Sequence, residues 1–198
     1  MKKLLDERFL WVFLLPGSVI FLFSCKEETK LPYANPTQID AYFSTTEFLE
    51  KEIEEVSGEP VKKIISINEE QESVEFSPTA EEWRKELDVF FQADINKAAL
   101  SNAYQTQESD SLLIHSLKPG EDANIKEMKI VKKGGKVLSL EIVSLKNNFF
   151  YRSEMTGKIN MGNQLGKIRG YSLKGRQKVW FLPENRMELN AVVGTLEE

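Results

Sequence analysis

Phe149-Phe150-Tyr151-Arg152-Ser153-Glu154-Met155-Thr156-Gly157-Lys158-Ile159-Asn160-Met161 is the stretch on which the reading of the fold turns. Phe149, Tyr151, Met155, Ile159 and Met161 alternate with Arg152, Glu154, Thr156, Lys158 and Asn160. Successive side chains of a strand point to opposite faces, so the alternation predicts a strand with one face on a core and one in water. A strand of that kind needs neighbours, and the flanking sequence supplies them.

Upstream, Leu112–Leu117, Ile125–Lys132 and Val137–Lys146 carry the same period of two. Gly134-Gly135 reads as a tight hairpin turn, and Asn147-Asn148 marks the next reversal. Downstream, Leu165–Leu173 and Lys178–Leu182 read as strands joined around Lys174-Gly175. Pro183-Glu184-Asn185 then turns the chain into a last strand, Met187–Val193. Gly157, Gly162, Gly166 and Gly170 fall in this region without the Gly-Lys-Ser/Thr and helix that a phosphate loop requires, so they read as bends in a curved sheet. Consecutive hairpins of this length make an antiparallel meander of about six strands whose apolar face needs a cover.

The N-terminal half offers that cover. Ile39, Tyr42, Phe43, Leu49, Ile53 and Val56 recur at helical spacing, predicting a helix over about Thr37–Ser57 with Thr37 and Asp40 as a capping pair and Gly58 and Pro60 ending it. Val61–Ile67 and Ser73–Phe76 read as a short hairpin around Asn68-Glu69-Glu70. Thr79 and Glu82 form a capping box that opens a second helix bearing Trp83, Leu87, Phe90 and Phe91 on one stripe. The expected fold is α+β, with two N-terminal amphipathic helices and an intervening hairpin packed on the meander.

The first residues carry an address. Lys2, Lys3 and Arg8 precede an apolar run from Phe9 to Phe23, broken only by Pro16-Gly17-Ser18 and followed by Ser24-Cys25. The run has the length of a signal-peptide core and is short for a membrane span of about 20 residues. A small residue followed by cysteine resembles the lipobox of bacterial lipoproteins. The resemblance implies removal of residues 1–24, a lipid on Cys25, and location in the outer membrane. Lys26-Glu27-Glu28 resembles the signal that exports some of these lipoproteins to the cell surface. Residues 25–36 then read as a tether, with Pro32 and Pro36 favouring extended chain, and 37–198 as a single domain.

Chemistry is harder to place. Cys25 is the only cysteine, which excludes an internal disulfide and a thiolate zinc site. His115 is the only histidine and lies in a strand pattern beside Ile114 and Ser116, so it reads as a satisfied strand residue. No GxSxG elbow, HExxH or calcium loop occurs, and no catalytic residue, metal ligand or cofactor motif is assigned. The formal charge of −5 disfavours nucleic acid and anionic lipid as partners. Phe150 faces opposite to Phe149 and Tyr151, and Trp180 opposite to Val179 and Phe181, so the pair is expected to form an exposed patch on neighbouring strands. The expected role is a non-catalytic, lipid-anchored envelope protein acting as an accessory or interaction module, with an envelope protein or a hydrophobic ligand as partner. The alternative is a binder of a lipid or other hydrophobic ligand in a sheet–helix cavity; an unrecognised hydrolase is a third reading.

Overall fold

Nine strands form one antiparallel sheet: β1 (Val61–Ile67), β2 (Glu70–Phe76), β3 (Tyr104–Glu108), β4 (Leu112–Leu117), β5 (Ile125–Lys133), β6 (Lys136–Asn147), β7 (Tyr151–Met161), β8 (Ile168–Val179) and β9 (Asn185–Val193). Their spatial order is β2-β1-β9-β8-β7-β6-β5-β4-β3. The computed structural model describes residues 38–162 and 166–194. Strands β3 to β9 run as one meander, and the N-terminal hairpin β1–β2 joins its C-terminal edge by pairing β1 with β9.

This overturns the expected α+β fold with two amphipathic helices on about six strands. The hairpin extends the sheet and does not pack on it, β3 adds an unforeseen edge, and the helices are small: α1 (Thr45–Val56), α2 (Ala80–Glu86) and α3 (Asp88–Phe91). The first helix is shorter than its apolar spacing suggests because other side chains capture the backbone of the preceding residues. Asn96 Oδ1 accepts the N–H groups of Ala41 and Tyr42 at 3.1 and 2.8 Å, and the Phe43 N–H goes to His115. Ser44, not Thr37, caps α1 by accepting the Glu47 N–H. The Thr79–Glu82 capping box opens α2 as expected. Lys174-Gly175 is not a turn. Gly175 lies mid-strand in β8, paired with Met155 and Met187.

Register defines the two faces of the sheet. One row across it is Met128, Ile142, Gly157, Leu173 and Leu189; the next is Ile130, Leu140, Ile159, Tyr171 and Ala191. Every residue in both rows is buried, in one core cluster with Leu49, Ile53 and Val56 of α1 and with Trp83, Leu87 and Phe90 of the α2–α3 segment. Trp83, Leu87 and Phe90 are fully buried beneath these helices. Trp83 meets Tyr171 edge-on at 6.0 Å and donates its indole N–H to Val56 O of α1. Glu86 fastens α2 to the sheet, accepting from Tyr171 Oη at 2.6 Å and from Lys63 Nζ at 2.7 Å. Burial, and then that bond to Glu86, pushes the Tyr171 phenol far above its ordinary value, so it stays a donor.

Gly157 is the seat of this packing. A Cβ there would lie 2.9 Å from the Phe90 ring and 3.1 Å from both Ile142 and Leu173. The absence of a side chain is what lets the helical layer approach the sheet. Gly157→Ala is therefore expected to destabilise by about 1–3 kcal/mol through overpacking. Gly175→Ala, whose nearest neighbour is Glu154 O at 3.7 Å, is expected to be neutral or slightly stabilising. Urea denaturation of the two variants checks the contrast.

Candidate functional site

The helical cover stops short of one end of the sheet. Beyond the buried rows come Ser144, Met155, Gly175 and Met187, then Lys146, Ser153, Gln177 and Asn185, and exposure rises along that path. At the end stand two neighbouring connections, β6–β7 and β8–β9. The first is shaped by Asn148. Its side-chain oxygen accepts the N–H groups of Phe150 and Tyr151 at 2.9 and 3.0 Å, while its own N–H goes to Tyr151 O. An asparagine that bonds the backbone two residues on closes a turn by itself, and here it leaves both phenylalanine side chains outside.

The second connection closes through Leu182 N–H to Val179 O at 3.1 Å, and Lys178 Nζ donates to Leu182 O at 2.7 Å. The two turns are tied together by Trp180 N–H to Phe150 O at 3.0 Å. The result is one apolar tip made of Phe149 (86 % exposed), Phe150 (63 %), Trp180 (68 %), Phe181 (69 %) and Leu182 (49 %). Phe149 and Phe150 stack edge-on at 5.2 Å, as do Trp180 and Phe181 at 6.1 Å. Single exposed apolar residues are ordinary on a protein surface, whereas five contiguous large ones mark a contact surface.

Phe150 and Trp180 thus adjoin and are exposed, but in turns and not on strand faces. The expected burial of Phe149 and Phe181 does not hold: both are more exposed than Phe150. Leu182 and the surrounding cations escaped the sequence reading. The available signal was apolar residues bracketed by turn formers, Asn147-Asn148 before Phe149-Phe150 and Pro183 after Trp180-Phe181-Leu182.

Charges ring the tip. Segments 146–154 and 176–186 hold Lys146, Arg152, Arg176, Lys178 and Arg186 against Glu154 and Glu184. Both acids are engaged. Glu154 accepts from Arg152 and Arg176, and Glu184 from Arg186, which holds both carboxyls below their ordinary range. Next to the tip, on the face away from the helices, an open trough of about 1010 Å³ is lined by Glu154, Arg176, Glu184 and Arg186 with Lys174 and Glu188, the last two paired at 3.0 Å. The helical side has a gap of about 260 Å³ bounded by Val89, Gln92, Ile142, Lys146 and Met155.

His115 stands elsewhere, on the helical face of β4, and is buried. Its Nε2 accepts the Phe43 N–H at 3.2 Å, so a neutral ring carries its proton on Nδ1 and donates it to Thr106 Oγ1 at 2.8 Å. Among the described residues no three His, Cys, Asp or Glu side chains gather as a metal site, and no helix is long and apolar enough to cross a membrane. Cys25, Lys26, Glu27 and Glu28 lie outside the described residues. No family model, curated protein or solved structure matches the chain.

Burial lowers the His115 pKa below its ordinary 6.5, with Lys132 adding slightly and Glu108 opposing. The folded state therefore resists protonation. Its contribution to stability is complete above the unfolded value of about 6.5 and is lost as pH falls from there towards the folded value. The expected outcome is that wild-type melting temperature drops more between pH 7.5 and 5.5 than that of His115→Gln. Equal drops contradict the assignment.

Proposed function

We propose that this chain is a non-catalytic interaction module held at the bacterial envelope by a lipid on Cys25, and that the aromatic tip is the surface through which it acts. The observation that carries the reading is the tip itself. Five large apolar side chains stand in water on two turns that Asn148 and the Trp180–Phe150 backbone bond hold in shape. Leaving such a surface exposed favours aggregation and gives nothing to the fold, so its presence is explained by a contact it makes. The core under α2 and α3 is filled by Trp83, Leu87 and Phe90, which supports a scaffold that presents a surface over one that encloses a ligand. The lone histidine is committed to the backbone of residue 43 and to Thr106, in support of the same reading.

The test is a photo-reactive phenylalanine analogue placed at Phe150 in living cells, with Gln71 on the exposed edge strand β2 as the control. Position 150 is expected to give a discrete adduct and position 71 none. Equal background at both positions contradicts the reading. Palmitate labelling of wild type but not of Cys25→Ser is expected from the anchor, and labelling of the variant at wild-type level removes it.

A further inference from the structure

We propose that the occupant of the tip is the interfacial region of a lipid bilayer carrying anionic headgroups. The inference rests on the reading of the tip as the acting surface and names what it touches. Three independent features favour lipid.

The first is composition. Trp180, three phenylalanines and Leu182 project from one end of the sheet. Aromatic and aliphatic side chains of this kind settle at the boundary of headgroups and acyl chains, with the indole N–H still able to reach polar groups.

The second is charge. Overall acidity argues against anionic lipid, but the acidity is not evenly spread. Segments 146–154 and 176–186 hold five cations and two acids in a chain whose formal charge is −5. Glu154 and Glu184 are each bound to arginine, and Lys146 and Lys178 flank the apolar residues. Glu69, on the hairpin β1–β2, lines the trough beside Arg176 and Arg186, and Asp122, ahead of β5, lines a groove beside Lys146, so with them the cations still outnumber the acids five to four. Basic side chains close behind an apolar wedge are placed to meet phosphate as the wedge enters.

The third is the backbone. Peptide groups that leave water unpaired are penalised in lipid. In the tip, the N–H groups of Phe150, Trp180 and Leu182 and the carbonyl of Leu182 all have partners within the tip itself. Each of these bonds lowers the cost of moving the turns to headgroup depth, where the remaining peptide groups of the tip can still meet water and polar headgroups.

Geometry agrees with a membrane at this end. Gln38, where the described chain begins, pairs with Lys97. Lys97 lines the gap that runs along the helical face from Ile142 in the core row to Lys146 and Ser153 near the tip. With Cys25 lipidated, the segment 25–37 spans at most about 45 Å, so the tip stays within reach of the bilayer that holds the anchor.

The experiment uses the protein made from the full chain with Trp11→Phe, so that Trp83 and Trp180 are its tryptophans whether or not residues 1–24 are removed. Trp83 is fully buried and serves as an internal constant. The protein is reconstituted into phosphatidylcholine–phosphatidylglycerol vesicles with and without brominated acyl chains. Trp180 emission is expected to shift to the blue and to be quenched by bromine. Phe149→Ser with Phe150→Ser and Leu182→Ser is expected to abolish the quenching at an unchanged denaturation midpoint. Lys178→Gln is expected to lower the ratio of inserted to free tip by about fivefold. Trp180 emission that is identical in brominated and plain vesicles overturns the proposal. If position 150 nevertheless crosslinks to a protein in cells, the interaction module stands and only its lipid occupant falls; if it crosslinks to nothing, both fall.

Discussion

The contact between the Phe90 ring and the bare backbone of Gly157 sets the spacing between helices and sheet, and the other layers of the structure follow from it. With the ring seated there, Trp83 reaches Tyr171 and Val56, and Glu86 reaches Tyr171 and Lys63. Two short helices totalling eleven residues, α2 and α3, thereby find enough apolar partners to hold on a nine-stranded sheet. Isolated helices of that length are not stable in water, so packing, not propensity, keeps them.

The same contact decides where the cover ends. Helices this short protect only the rows near Gly157, while β6, β7 and β8 run eleven or twelve residues each. The strands outrun their cover, and the uncovered length turns polar on the helical face: past Met155 and Met187, which pack at the edge of the core, the next row is Lys146, Ser153, Gln177 and Asn185. At the far end the polarity reverses again into Phe149, Phe150, Trp180, Phe181 and Leu182. A polar collar between a buried core and an exposed apolar tip separates what folds the domain from what the domain presents. Stability and contact can then vary independently, since the tip shares no side chain with the core.

Much of the sheet was legible because its strands alternate cleanly. Residues 149–161 predicted β7, Gly134-Gly135 the turn between β5 and β6, and Thr79 with Glu82 the start of α2. Three failures share a cause: a long-range partner changed the meaning of a local pattern. Ile39, Tyr42 and Phe43 have helical spacing, yet Asn96 and His115 take their backbone groups. Gly175 resembles a turn residue, yet Met155 and Met187 flank it across unbroken ladders. Strand β3 (Tyr104–Glu108) carries too few apolar residues to announce itself, and it forms because β4 offers an open edge. The tip was half legible. Alternation found Phe150 and Trp180, but treating turns as strands sent Phe149 and Phe181 to the wrong side.

The separation of core from tip is tested most directly by urea denaturation of two tryptophan variants side by side. Trp83→Ala removes a fully buried ring and is expected to destabilise by about 3–5 kcal/mol. Trp180→Ala removes a ring that is 68 % exposed and is expected to change stability by less than about 0.5 kcal/mol. Comparable losses in the two variants would contradict the account, because the tip would then be part of what holds the fold together.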